Sequence, residues 1–169
     1  MARNDVKIIK EDGGQYLTFD VQDRTSSSDT QLLVGEPVKK SGNYVIHLAT
    51  GDPEIGTDEF VGIVVKDSTE TSTADGKVEV FVPCASQSVL RCNATTPANI
   101  DTAAKLLGVK LDCVTFDLTS TTFTIDENEG DDPNVQGLQI IGGSIDGYLD
   151  FVVQQNAGLG GGTVGQTRD

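Results

Sequence analysis

Tryptophan is absent from this chain, and methionine and histidine occur once each. A single histidine rules out a histidine-rich metal centre and leaves imidazole chemistry to one position, His47. Lysine and arginine are scarce: 12, against 26 aspartates and glutamates, for a net charge of −14. Such a balance excludes nucleic acid and anionic membranes as direct partners, because phosphate binding needs clustered cations. The deficit is sharpest from Leu111 to Thr167, a span with no Lys or Arg and nine acidic residues. It reads as a solvated acidic face, as a surface complementary to a basic protein, or as a cation-binding surface. The three cysteines, Cys84, Cys92 and Cys113, are odd in number and lack metal-type spacing. They therefore read as small hydrophobes in a reducing compartment rather than as a disulfide framework or zinc site. No apolar run approaches the roughly 20 residues of a membrane span. The polar start, Met1 to Asp5, carries no apolar signal-peptide core.

What is present is β-forming sequence broken by turns. Nineteen glycines and many threonines and serines favour short strands with tight connections. Residues 1–31 read as an extended N-terminal arm and linker. Within them, Leu17, Phe19 and Val21 alternate with Thr18 and Asp20, the period-two pattern of a strand with one buried face. Arg24 to Thr30 is polar and reads as a linker. The main domain spans 32–155. Strands are expected over Asn43–Leu48, Phe60–Lys66, Lys77–Val82, Ser88–Ala94, Lys110–Leu118, Thr121–Asp126, Gly137–Gly142 and Gly147–Gln154. The run Phe60–Lys66 pairs with Lys77–Val82 as a hairpin with a long tip, and Pro83 ends it. Asp101 is the expected cap of one short helix over Thr102–Leu107, with Gly108 as its stop. Residues 156–169 form a glycine-rich tail. About eight short strands and one short helix predict a mainly β fold, a small barrel or sandwich.

The catalytic inventory is poor. His47 lies within a strand with no nucleophile motif beside it, and reads as structural. Nothing near Cys84 in sequence would activate it. In the acidic loop from Asp126 to Asp132 the glycine falls one place early for a calcium loop, and Gly137 stands where a closing glutamate is needed. The stretch Gly143 to Tyr148 is similar to the uracil-pocket motif of trimeric dUTPases, and the glycine-rich tail is similar to their closing arm. The two elements lie too close together, however, and the phosphate-binding motifs are missing. No catalytic residue, cofactor or metal ligand is therefore assigned.

One ordered set of segments resembles a family as a whole. It runs from Val34-Gly35-Glu36-Pro37-Val38 through Tyr44–Pro53 and Phe60-Val61-Gly62-Ile63-Val64. It continues with Ser68–Thr71, Ala74–Pro83, Asn99–Ala103, Thr124–Glu127 and Tyr148–Val153. This order resembles the head decoration, or capsid cement, proteins of tailed bacteriophages. The resemblance implies a structural virion protein made in the host bacterial cytoplasm. It would sit on the outer capsid surface, bind the major capsid protein, act as a homotrimer and carry no cofactor. The arm residues Tyr16, Leu17, Phe19 and Val21 are the contact candidates, since extended segments can add strands to neighbouring subunits. A phage tail or surface module that binds a carbohydrate or host receptor is the alternative. It would want exposed aromatics, whereas most of the nine aromatics here fall on strand positions. A dUTPase-like nucleotide hydrolase is the remaining alternative.

Overall fold

Antiparallel pairing joins the strands of this chain. The structure, a computed structural model, describes residues 5–25, 30–119, 122–128, 132–155 and 157. The first sheet has the spatial order β2 (Gln15–Val21), β6 (Gly76–Val82), β5 (Phe60–Lys66), β3 (Pro37–Ser41) and β4 (Tyr44–His47). The second has the order β1 (Lys7–Lys10), β7 (Val89–Asn93), β12 (Tyr148–Val153), β11 (Leu138–Ser144) and β8 (Cys113–Val114). A two-stranded hairpin, β9 (Phe116–Thr119) with β10 (Thr122–Ile125), completes the strands. The fold is mainly β, with sandwich-like sheets and, among the described residues, no closed barrel and one short α-helix.

The central strand β5 is buried on both faces, as its β-branched run foretold. Phe60 and Ile63, with Phe81 of β6, face the second sheet. Val61 and Val64, with Val78 and Val80 of β6, face the other way. Two register irregularities skip Val61 and Val65, where Val38 opposes Gly62 and Lys39 opposes Phe60, then Val64 opposes Val80 and Lys66 opposes Glu79. Bulges of this kind bend a strand and increase its twist, which curls the first sheet. Gly62 is required here: a Cβ would lie 2.0 Å from the Phe81 carbonyl oxygen.

Two cores result. The larger lies between the sheets and centres on Phe116. Its ring stands edge-on to Phe151 at 5.5 Å and Phe123 at 6.1 Å, with Phe60 tilted at 6.3 Å. The smaller lies in the concavity of the first sheet and consists of Val21, Val38, Val45, Val61, Val64, Val78, Val80 and Leu32.

Several expectations change. The segment read as an arm is, from Val6 to Val21, part of both sheets. Strand β1 pairs with β7, and β2 pairs with β6 along its whole length, from Gln15 opposite Val82 to Val21 opposite Gly76. The reason is burial: Val6 and Val21 are buried and Phe19 packs on the valine core. The buried Ser88 hydroxyl also lies 3.0 and 3.1 Å from the carbonyls of Glu11 and Asp12, pinning the β1–β2 turn.

The strand count exceeds eight partly because β3 is a strand that sequence reading missed. In addition, the run 110–118 splits at Thr115. There the backbone partner changes from β11 to the 51–52 turn and Asp126, with Phe116 N donating to Asp52 O and Asp126 N to Thr115 O.

The helix is α1 (Ala103–Val109). Its cap is Thr102, whose hydroxyl accepts from Lys105 N, while Asp101 instead pairs with Lys105 Nζ at 2.8 Å. Gly108 sits inside the helix, and the left-handed residue that follows is Leu111, at φ 78°. The 156–169 tail, apart from Ala157, lies outside the described residues, as do part of the 24–30 linker, the Ser120 turn and Glu129 to Asp131 of the acidic loop.

Candidate functional site

The four contact candidates sit on β2, an edge strand whose side away from β6 is, among the described residues, hydrogen-bonded to no other strand, although β4 lies beside part of it. Alternation divides them. Leu17, Phe19 and Val21 share the face of the valine core, but only Val21 is fully buried, and Leu17 is 40% exposed. Tyr16 is on the opposite face and 47% exposed. Its ring packs on Phe81 at 5.3 Å, and its hydroxyl donates to Glu11, a bond that raises the Tyr16 pKa. Tyr16 and Leu17 thus present apolar surface at an open sheet edge, with the tyrosine held in place. Phe19 and Val21 are placed in or against the core instead.

The curled sheet begins with β2 and ends with β4, and near the ends of these edges lies a cleft of about 350 Å³. Val21, Leu32, Val45 and Ile46 form its apolar walls. Its polar lining includes Asp23, Arg24, Thr30, His47 and Glu70. Two buried carboxylates flank this region. Glu36, 1% exposed, accepts from Leu33 N at 3.0 Å and lies 3.3 Å from His47 Nδ1. The other ring nitrogen of His47 is 3.1 Å from both the hydroxyl and the carbonyl oxygen of Thr30. A carboxylate–imidazole–hydroxyl order can serve nucleophilic catalysis. Here the Thr30 carbonyl is an equally close acceptor for the ring N–H, so the imidazole fastens the 30–36 segment to β4.

Glu70 is held differently. It belongs to the 67–75 connection and is brought to the cleft by Gly76, where a Cβ would lie 2.1 Å from Glu70 N. Arg24 Nη2 donates to the Glu70 carbonyl at 3.2 Å, and Arg24 N to the Thr71 carbonyl at 2.8 Å. The nearest approach of the two charges is 3.7 Å, from Nε to Oε1. Arg24 Nε and both Glu70 carboxylate oxygens are buried and make no hydrogen bond.

The other residues singled out from sequence do structural work. Glu127 of the acidic loop is buried and accepts from Thr96 N at 3.1 Å and Asn99 Nδ2 at 2.9 Å, tying β10 to the 3-10 turn Pro97–Asn99. Asp126 accepts from Asn128 N in a local turn. Among the described residues, no three His, Cys, Asp or Glu are grouped to hold a metal. Cys92 is buried, and burial pushes its thiol up to about 12; Cys84 is partly exposed. The stretch Gly143 to Tyr148 is the turn of the β11–β12 hairpin, with Ser144 opposite Tyr148. Among the described residues, no helix is long and apolar enough to cross a membrane.

Sequence reading missed Arg24, Glu36 and Glu70 as members of a site. Arg24 and Glu70 sit in polar connecting segments, and no local spacing links them. No family model, curated protein or solved structure matches this chain.

Proposed function

We propose that this chain is a structural virion protein that binds the outer surface of a mature tailed-phage capsid and stabilises it by bridging capsomers, as a homotrimer on the shell. The observation that carries this reading is strand β2. It is seven residues long, has no strand hydrogen-bonded to its outer side among the described residues although β4 lies beside part of it, and exposes Tyr16 and Leu17. An open edge of that length is a template for strand addition from a neighbouring subunit. The charge of −14 keeps such an edge from pairing with other copies in solution, and it favours a basic patch on the shell. Weak contacts repeated over a lattice add by multivalency.

The test is cosedimentation of the full chain with expanded empty shells and with unexpanded precursors. Binding to expanded shells is expected, and Tyr16→Ala with Leu17→Ser is expected to weaken it about tenfold or more through loss of an anchoring aromatic and its neighbour. Undiminished binding by the double variant would remove β2 from the reading, and failure of the unaltered chain to bind any shell would remove the reading itself. Deleting residues 1–30 is not a clean test, because it removes β1 and β2 and uncovers Phe81 and Val80.

A further inference from the structure

We propose that the cleft between β2 and β4 receives one arginine side chain from a partner protein, and that Arg24 is the internal occupant it displaces from Glu70. The case begins with Glu70. Its side chain is 1% exposed and its two oxygens are buried and make no hydrogen bond, although Glu70 is among the residues that line a cleft open to the surface. Burying a carboxylate is costly unless its oxygens are hydrogen-bonded. Arg24 is the only cation near it among the cleft-lining residues apart from His47, which is engaged by Glu36 and Thr30. Arg24 approaches from the side, at 3.7 Å, with its own Nε also unbonded. Its charge neutralises Glu70, but the geometry leaves three strong hydrogen-bonding atoms unused. Such a pair is poised for exchange.

The cleft selects the replacement. A guanidinium entering along the cleft axis can donate two parallel bonds to the two free oxygens, which an ammonium cannot do equally well. The apolar walls, Val21, Leu32, Val45 and Ile46, suit the three methylenes of an arginine stem. A volume of about 350 Å³ lies at the small end of ligand pockets, which run from about 300 to 1,000 Å³. The rim is acidic: Asp23 lines the mouth, its N–H donates to Asp75 at 2.9 Å, and Tyr44 donates to the same Asp75. The Arg24 side chain is 36% exposed and is held to Glu70 by one hydrogen bond to its carbonyl and by the longer charge contact. The overall negative charge draws a basic protein surface toward this mouth.

The full chain, labelled at its Val and Leu methyls, is titrated with N-acetyl-arginine amide, and with N-acetyl-norleucine amide as the uncharged control. Saturable shifts at Val21, Leu32 and Val45 are expected with the first and not with the second. Arg24→Ala is expected to tighten binding at least about threefold by removing the competitor, and Glu70→Gln to weaken it about tenfold or more by removing the charge-assisted acceptors. Should Glu70→Gln unfold, the Arg24→Ala result decides alone. Absence of saturable shifts in both the unaltered chain and Arg24→Ala overturns the proposal, as does equal affinity of the two. Free arginine binding tenfold tighter than the blocked form would assign the cleft to a free amino acid and overturn the protein-borne version. The probe contains no shell, so this result and the shell-binding result stand or fall separately.

Discussion

The two cores of this molecule are built from different residues. Between the sheets five buried phenylalanines, Phe60, Phe81, Phe116, Phe123 and Phe151, are set among leucine, isoleucine and valine. Inside the curl of the first sheet it is almost wholly valine. Two sheets packed face to face leave a layer about 10 Å thick, which large rings fill in interlocking edge-on contacts. The concave side of a curled sheet leaves less room, and short β-branched side chains fit it without strain. The aromatic core is closed over by the β9–β10 hairpin and Ile100, whereas the valine core borders the cleft where Arg24 and Glu70 meet. The larger core supplies most of the stability.

Truncation tests that contrast most severely. Phe116→Ala is expected to cost about 3–5 kcal/mol, because it empties the centre of the aromatic cluster. Val80→Ala in the valine core removes less surface and is expected to cost about 2 kcal/mol. Urea unfolding of both variants measures this, and equal losses would break the distinction between the cores.

The next effect is on pH dependence. Lys39 of β3 lies 2.7 Å from both Asp52 and Asp58, holding the 49–59 connection against the first sheet. Burial opposes the charge of Lys39, yet its two hydrogen bonds to carboxylates prevail and its pKa is raised. Burial likewise opposes the charge of Asp58, but Lys39 and the Glu54 N–H outweigh it and its pKa is lowered. The Asp58 contribution is therefore present above the unfolded carboxylate value near 4 and lost as pH falls through the lower folded value. The Lys39 contribution is present below the unfolded value near 10.4 and lost as pH rises through the higher folded value. Asp58→Asn should flatten the acid limb of a stability–pH profile; an unchanged limb would assign it to other carboxylates.

A smaller, opposite effect is expected at Leu111. This residue holds φ 78° while 59% exposed, so its side chain gains little from burial and its backbone is strained. Leu111→Gly is expected to raise stability by about 1 kcal/mol, read as a higher melting temperature. The smallest stability effect is expected at the edge of β2. Tyr16→Ala with Leu17→Ser should change unfolding by less than about 1 kcal/mol in total, since the two residues are 47% and 40% exposed and belong to neither core. A large loss would mean that these residues belong to the core rather than to a contact surface.

Pattern was readable where a strand had a single clear face. The β5–β6 and β11–β12 hairpins lie where alternation and turn residues put them. Strand β3 escaped because Pro37 opens it and Lys39-Lys40-Ser41 close it, so that only Val38 marks a buried face. The helix cap moved by one residue because Thr102 and Asp101 are both competent caps, and Lys105 is placed to bind the aspartate. The strand that holds Tyr16 and Leu17 was legible from the alternation of Leu17, Phe19 and Val21, whereas its place at a sheet edge was not. The Arg24–Glu70 pair was not, because its members are 46 residues apart in segments that look solvated.

The sequence by itself determined that this is a mainly β protein and that it carries a strong excess of negative charge. Period-two alternation and net charge are local or summed properties, and no folding is needed to read them. Only the tertiary structure decided which sheet each strand joins, that β2 is an edge rather than part of a detached arm, and which carboxylates are buried. Those outcomes depend on hydrogen bonding and packing between segments far apart in the chain. Two glutamates alike in sequence, Glu36 and Glu70, therefore end in opposite states, one with its hydrogen-bond donor supplied and the other without.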